Sequence, residues 1–593
     1  MAKGRLKRIL FWVITLLIPV VLFLVLELSL RLGGYGEHKQ DLFVEVKANP
    51  EYVSVNPAFV SRYFPLFSPD IARSPFLKKK DEDTFRIFVL GGSSTQGFPY
   101  NFYSSFSSQL EQRLLMETVG LNVEVINLGM TAVNSYVIRD LSKRVIKYKP
   151  DAILIYAGHN EYYGSFGVGS TQFGFGDGVG LKRLILKLKD LRLYQLFEEL
   201  LISDGENNKS NRTLMARVVK DSGIPINSDL YRAGINQFKE NLSDVLNLFK
   251  SENIPVFIGT VTSNLKDQDP LGDLELALET YERGNTYFAS GNMDSARSAY
   301  LNSKELDPIR FRAPEGINKV IREAAQQFDA YTVEVNRAAA QASESTIQDH
   351  SFFTDHLHPD WEGHQLIADL FFEKMKSNVR KVNEAYLSNP LFKRTTESDF
   401  EKIYASVQVK RLLVGYPFQK GLTGEEEYAQ FQEVYENHLK QSYIDSIAAH
   451  TWRTQRDIAL ALTDVINHVN QQSDTVSVLK HYQQLVNWQL FNPDLLKKGV
   501  NYAIHSRQYD PYSAQILHSI LRVKRYDPFF ANRLAALYLF QNDLKRSEYW
   551  LKKVEELDDR NPLLWYSYAR LYLLKGDKLK AQNAYQKYLE LQK

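Results

Sequence analysis

Phe85-Arg-Ile-Phe-Val-Leu-Gly-Gly-Ser-Ser-Thr-Gln-Gly97 joins a strand, a turn and a candidate nucleophile in one short stretch. Phe85 to Leu90 is a β-branched and aromatic run of strand length, and Gly91-Gly92 ends it abruptly. Ser93 and Ser94 follow, and a helical pattern begins beyond them, with Phe106, Leu110 and Leu114 four apart. A serine on a tight turn after a buried strand is presented at the carboxyl edge of a sheet, where open α/β folds build their sites. The glycines allow the turn and the close approach of a substrate. Taken alone, the segment also suits a phosphate-cradling loop, because Gly-rich strand-to-helix turns aim backbone N–H groups at anions. No lysine follows the glycines, which counts against that second reading.

The surrounding pattern alternates strand and helix. Val123 to Asn127 is a strand candidate, and Val137, Ile138, Leu141, Val145 and Ile146 share a helix face that ends before Pro150. Ala152 to Ala157 is a continuous apolar run, as expected of a strand buried on both faces. Ile235, Phe238, Leu242, Val245, Leu246 and Phe249 mark a further helix, followed by a strand over Ile254 to Val261. Strands separated by helices imply a parallel sheet, hence an α/β fold.

The chain has 593 residues, too many for one core, and a net charge of +2, which gives no global attraction to nucleic acid. It has no cysteine, so disulfides, thiolate metal sites and a cysteine nucleophile are excluded. Lys3, Arg5, Lys7 and Arg8 precede an uncharged apolar run from Ile9 to Leu26. At about 1.5 Å per residue the run spans roughly 27 Å, close to the hydrocarbon thickness of a bilayer. A cleaved signal peptide is the other reading. No small-x-small site follows directly, and Glu27-Leu-Ser-Leu-Arg-Leu32 continues the helical pattern, which favours an uncleaved anchor. Basic residues ahead of the span place the N-terminus in the cytoplasm and the remainder outside it.

Residues 33–84 are expected to be an irregular approach segment, and two insertions are expected in the α/β domain. The first, at about 162–230, opens with a Gly/aromatic loop over Tyr162 to Gly176. It continues as an amphipathic helix over Leu181 to Leu201. That helix is expected to pack on its own domain, with a membrane surface or a lid role as alternatives. The second, at about 264–318, carries Gly284, Tyr287, Gly291, Ala296, Tyr300 and Pro308 at tetratricopeptide spacing. At the C-terminus a shift of 34 residues maps Pro528 to Pro562, Ala535 to Ala569 and Tyr538 to Tyr572. The part from about residue 381 to 593 is therefore read as a helical-repeat array.

A second informative segment is Phe353-Thr-Asp-His-Leu-His-Pro-Asp-Trp-Glu-Gly363. Asp355 and His358 stand three apart, so one carboxylate can reach the far nitrogen of the imidazole in a tight turn. A serine needs such a base, itself oriented by a third group. Two histidines beside an aspartate also suit part of a metal site, and the pair alone does not separate the two.

Four blocks together resemble the SGNH (GDSL-type) hydrolase family: Gly91-Gly-Ser-Ser-Thr-Gln-Gly97, Asn127-Leu-Gly129, Gly158-His-Asn-Glu161 and Asp355-His-Leu-His-Pro359. The resemblance covers roughly residues 85–375. It implies a three-layer, flavodoxin-like parallel α/β domain with Ser93 as nucleophile, His358 as base and Asp355 as its partner. It also implies an oxyanion hole from the N–H groups of Ser93 and Gly129 and the amide of Asn160. No cofactor and no metal are expected.

Gly92 and Glu161 stand where the family usually has aspartate, so the site is retuned or, in the rival reading, dead. His159, His356 and His364 are expected to be local hydrogen-bonders. The partition is then an N-terminal transmembrane anchor over 1–32, the approach segment, a hydrolase-like domain over 85–380 and the array over 381–593. The expected function is that of a membrane-anchored extracytoplasmic esterase or O-acyltransferase on an acylated glycan or lipid. Its repeats are expected to hold a protein partner. The rival is a tetratricopeptide scaffold carrying an inactive hydrolase-like domain.

Overall fold

The computed structural model describes residues 2–64, 71–72, 74–170, 178–203, 223–389, 394, 396–505, 511–525 and 527–593. Helix α1 (Ala2–Leu32) contains the apolar run, and its side chains from Leu10 to Leu26 are solvent-exposed in the isolated chain. It is long and apolar enough to cross a membrane.

The segment expected to be irregular instead forms an antiparallel sheet of β1 (Phe43–Val46), β2 (Asn49–Val55) and β3 (Phe76–Leu77). Its alternation is too short and too interrupted to detect by period. What holds it is aromatic packing, with the Phe43 ring 4.8 Å from Phe76 and 6.0 Å from Phe88 of the main sheet.

The main sheet has five parallel strands, β4 (Thr84–Gly91), β5 (Asn122–Asn127), β6 (Ala152–Tyr156), β7 (Val256–Gly259) and β8 (Tyr331–Val333), in the order β5-β4-β6-β7-β8. β4 and β6 are buried throughout, as their unbroken apolar runs require. Between β4 and β5 lies α2 (Phe106–Glu117), and between β5 and β6 lies α3 (Ser135–Val145), capped by Asn134.

The amphipathic segment after Gly178 is two helices, not one: α4 (Val179–Leu188) and α5 (Arg192–Ser203). The break exists because Glu27 of α1 accepts hydrogen bonds from the N–H groups of Arg192 and Leu193, which makes a new helix start there. The sheet is completed by α6 (Asp229–Ser251) before β7. The helix pair α7 (Glu275–Ala289) and α8 (Met293–Leu306) lies in the second, repeat-like insertion. A Cβ on Gly284 would come within 2.7 Å of the Tyr300 ring, so the small residue and the aromatic of the repeat pattern meet where the two helices cross. Helix α9 (Glu315–Gln327) precedes β8, and α10 (Trp361–Asn378) follows it in the chain.

From α11 (Asp399–Leu413) onward the described chain is helical, with α12 (Pro511–Val523) and four closing helices, Pro528–Phe540, Leu544–Leu557, Pro562–Leu574 and Lys578–Leu591. Asp543 and Asp577 occupy equivalent N-caps with the same backbone angles, φ −86° and ψ 80°, so the repeat holds down to its capping residues.

The α/β body runs past residue 380: Val382 belongs to its core, and the Leu387 N–H donates to the Glu117 carbonyl. The array is bolted to it. Arg522 pairs with Glu111, Gln112 donates to Ser519 Oγ at 2.9 Å, and Arg525 donates to Glu124 at 2.9 Å and to Thr84 at 2.8 Å.

Glu401 of α11 is buried in this junction and accepts from the Asn101 N–H at 3.3 Å. Burial pushes its carboxyl up to about 8, with the charge of Glu397 adding to the effect. The folded state therefore holds this proton more tightly than the unfolded chain. That contribution to stability is present in full below about pH 4.5 and is lost as pH rises through about 8. At about 1.4 kcal/mol per unit, Glu401→Gln is expected to be more stable than wild type by roughly 3–5 kcal/mol above pH 8. The gap should close towards pH 5. Thermal unfolding of both proteins across that range measures it, and a pH-independent gap would contradict the assignment.

Candidate active site

The turn after β4 is compressed. A Cβ on Gly91 would sit 2.2 Å from the Tyr156 carbonyl oxygen, and Gly97, at φ +118°, closes the single helical turn Ser93–Gln96. This sets the Ser93 hydroxyl at the carboxyl edge of the sheet. Its Oγ lies 2.7 Å from His358 Nε2, and His358 Nδ1 lies 2.6 Å from Asp355 Oδ2. The three residues proposed from sequence as nucleophile, base and acid thus form one hydrogen-bonded row.

Asp355 does two jobs. While Oδ2 faces the imidazole, Oδ1 accepts from the N–H groups of Leu357 and His358 at 2.9 and 2.8 Å, which fixes the turn that presents the ring. Burial alone would raise this carboxyl. The neighbouring imidazoles of His358 and His356 outweigh burial and hold it well below the usual carboxylate range. Phe98 stacks obliquely on His358 at 4.3 Å between ring centres.

Asn127 Nδ2 donates to the Thr95 carbonyl at 2.8 Å, and Asn127 Oδ1 accepts from the Gly129 N–H at 2.7 Å. A Cβ on Gly129 would come within 2.3 Å of Gln96 N, so only glycine allows this loop to lie against the Ser93 turn. The N–H expected to bind an oxyanion is here engaged by Asn127. The Asn160 amide faces the same turn, with Nδ2 2.9 Å from where a Cβ on Gly92 would be. A side chain at position 92 would meet that amide, which would have to shift to admit it.

Glu161 is fully buried, with Oε2 accepting from the Ser135 N–H at 3.0 Å and Oε1 accepting from Ser135 Oγ at 2.7 Å. Its carboxylate ties the Asn160 loop to the first turn of α3, and burial pushes its pKa to about 7.

Among the described residues the Ser94 Oγ is buried without a hydrogen-bond partner. His356 Nδ1 lies 3.3 Å from Asp355 Oδ1, while His159 Nδ1 accepts from the Ala313 N–H and His364 Nδ1 from the Phe106 N–H. His356 is also enclosed by rings, with Phe418 at 4.9 Å and Phe311 at 6.2 Å.

Phe418 comes from the helical array, and sequence reasoning missed it. Its only local signal is the aromatic run Tyr416-Pro-Phe418 between two helices. Asp355, His356 and His358 place one ligand atom each within 4.8 Å of one another, as a metal site would. Both nitrogens of His358 are already taken by Asp355 and Ser93, so the arrangement fits a proton relay better than a metal.

Residues 87–371 match the family model of GDSL-like lipase/acylhydrolase, and residues 563–593 match a tetratricopeptide repeat. A search of curated proteins finds no match. Similar solved structures include a GDSL-like lipase from Bacteroides thetaiotaomicron, at 12% identity and TM-score 0.28. It covers 51% of this chain and 93% of that one. Another is the lipase/acylhydrolase from Enterococcus faecalis, at 16% identity and TM-score 0.27, covering 49% and 96%. A third is the acetylxylan esterase Axe2 from Geobacillus stearothermophilus, at 13% and 0.27, covering 50% and 96%.

The α/β part of this chain is thus similar to GDSL-like lipases and acylhydrolases, and the match over residues 87–371 supports a hydrolase acting on ester bonds. The chain joins it to a helical region that ends in a tetratricopeptide repeat.

Proposed function

We propose that this protein is a membrane-anchored serine esterase whose reaction is carried by Ser93, His358 and Asp355. The observation that supports it is the continuous row of short contacts from Asp355 through His358 to Ser93. Ser93 Oγ attacks an ester carbonyl while His358 Nε2 takes its proton, and Asp355 stabilises the imidazolium. The oxyanion is met by the Ser93 N–H and the Asn160 amide. Gly129 joins them when its N–H turns from Asn127 to the substrate. Collapse of the tetrahedral adduct expels the alcohol, which receives the proton from His358. Water then releases the acid, or a sugar hydroxyl takes the acyl group, making the enzyme an O-acyltransferase.

The proposed substrate is an acylated glycan or lipid outside the cytoplasm. Helix α1 is the anchor, and the basic residues before it keep the N-terminus inside. The repeats bind a protein partner. The full-length enzyme in detergent is expected to hydrolyse short- or long-chain acyl esters, and a reporter fused after Lys593 should be active only outside the cytoplasmic membrane. Absence of turnover across a broad ester panel favours the scaffold role. A cytoplasmic reporter removes the envelope substrate.

A further inference from the structure

We propose that α4 and α5 rest on the surface of the bilayer that α1 enters, with Leu181, Leu184, Phe197 and Leu200 set among its headgroups and upper acyl chains. This rests on the reading of α1 as a membrane anchor.

Glu27 is the first charge after the apolar run. It is only 7% exposed, because it accepts from the N–H groups of Arg192 and Leu193 at 3.1 and 2.9 Å and from Arg31 Nε at 2.7 Å. A carboxylate that caps α5 from the end of α1 fixes the start of α5 where the hydrocarbon span stops, at headgroup depth.

The inner faces of the two helices are held on the α/β body. Lys182, Leu186 and Leu193 are buried, and Asp190 in the joint pairs with Arg62 at 2.8 Å and Arg144 at 2.9 Å. The outer faces carry exposed apolar side chains, with Leu181 43% exposed, Leu184 50%, Phe197 58% and Leu200 55%, beside the exposed Lys187 and a Glu199 that pairs with Lys39. Each helix presents its pair at a spacing of three, so each pair forms a stripe on one side. An apolar stripe beside the exit of a membrane helix, on a helix pair whose second member is hydrogen-bonded to that helix, is the geometry of an interfacial segment. Continuity with α1 argues for lipid over a protein partner.

Because the chain has no cysteine, single cysteines report without background. Full-length Val20→Cys, Leu184→Cys, Leu200→Cys and Tyr287→Cys would each carry a bimane label. They would be placed in phosphatidylcholine/phosphatidylglycerol nanodiscs with nitroxides on the headgroup or at mid-chain. Val20→Cys should be quenched most by the mid-chain nitroxide. Leu184→Cys and Leu200→Cys should be quenched by the headgroup nitroxide at least twofold more than Tyr287→Cys, an exposed position on α7.

Quenching at position 20 with positions 184 and 200 matching 287 overturns the surface contact and leaves the anchor intact. No quenching at position 20 overturns the anchor and the inference with it. Shielding of 184 and 200 from both lipid nitroxide and aqueous iodide means that another part of the chain covers them, which also overturns it. Leu181→Cys and Phe197→Cys replace any variant whose circular dichroism shows misfolding.

Discussion

Replacing Ser93 with alanine is expected to abolish ester turnover, by about 10⁴-fold or more, while leaving the fold intact. The side chain lost is small and its hydroxyl bonds only His358 among the described residues, so stability should barely change. A fluorophosphonate probe should label the wild type and Ser94→Ala and fail on Ser93→Ala. His358→Ala should label weakly, since the hydroxyl then has no base. Asn160→Ala should fold and lose roughly 10²–10³-fold in turnover, as one oxyanion donor does. Full labelling of Ser93→Ala would show that the nucleophile lies elsewhere. Because Ser94 Oγ is buried and has no hydrogen-bond partner among the described residues, the two adjacent serines give a clean contrast.

The second large effect is expected at Glu124, far from the chemistry. Its carboxylate accepts from Arg86 Nε at 2.7 Å, from the Leu77 N–H at 3.1 Å and from Arg525 Nη2 at 2.9 Å. One buried side chain thereby joins the small sheet, the main sheet and the helical array. Glu124→Ala leaves Arg86, which has no exposed surface, without its counter-charge, and leaves Arg525 with Asp81 at 3.2 Å. Removing one partner of a buried ion pair typically costs about 3–5 kcal/mol, because the remaining charge stays desolvated. Urea unfolding should show that loss, and limited proteolysis should release the array first. A variant within about 0.5 kcal/mol of wild type would mean that the junction is held by packing alone.

The main sheet was legible because β4 and β6 are continuous apolar runs, and the row Ser93–His358–Asp355 because each member sits in a short motif of fixed spacing. Gly284 and Tyr300 were legible for the same reason. What escaped was set by partners remote in sequence. The break between α4 and α5 depends on Glu27, 165 residues before Arg192. Strands β1 to β3 are too short for periodicity and owe their order to Phe43 and Phe76 packing on Phe88. The engagement of the Gly129 N–H by Asn127 is a loop geometry that no spacing announces. Phe418 reaches His356 from a helical region whose own pattern says nothing of an active site.

β5 is a terminal strand of the five-stranded sheet, and α12 packs beside it. Its cover is thus made from residues synthesised some four hundred positions later, with Arg522 and Arg525 closing over Glu111 and Glu124. Until then the growing chain carries an open sheet edge with two buried-type carboxylates beside it, a template for pairing with another nascent chain. Chains that stop short of residue 511 are therefore expected to aggregate rather than accumulate as a free hydrolase domain. The array, whatever else it binds, completes the fold of the enzyme it follows.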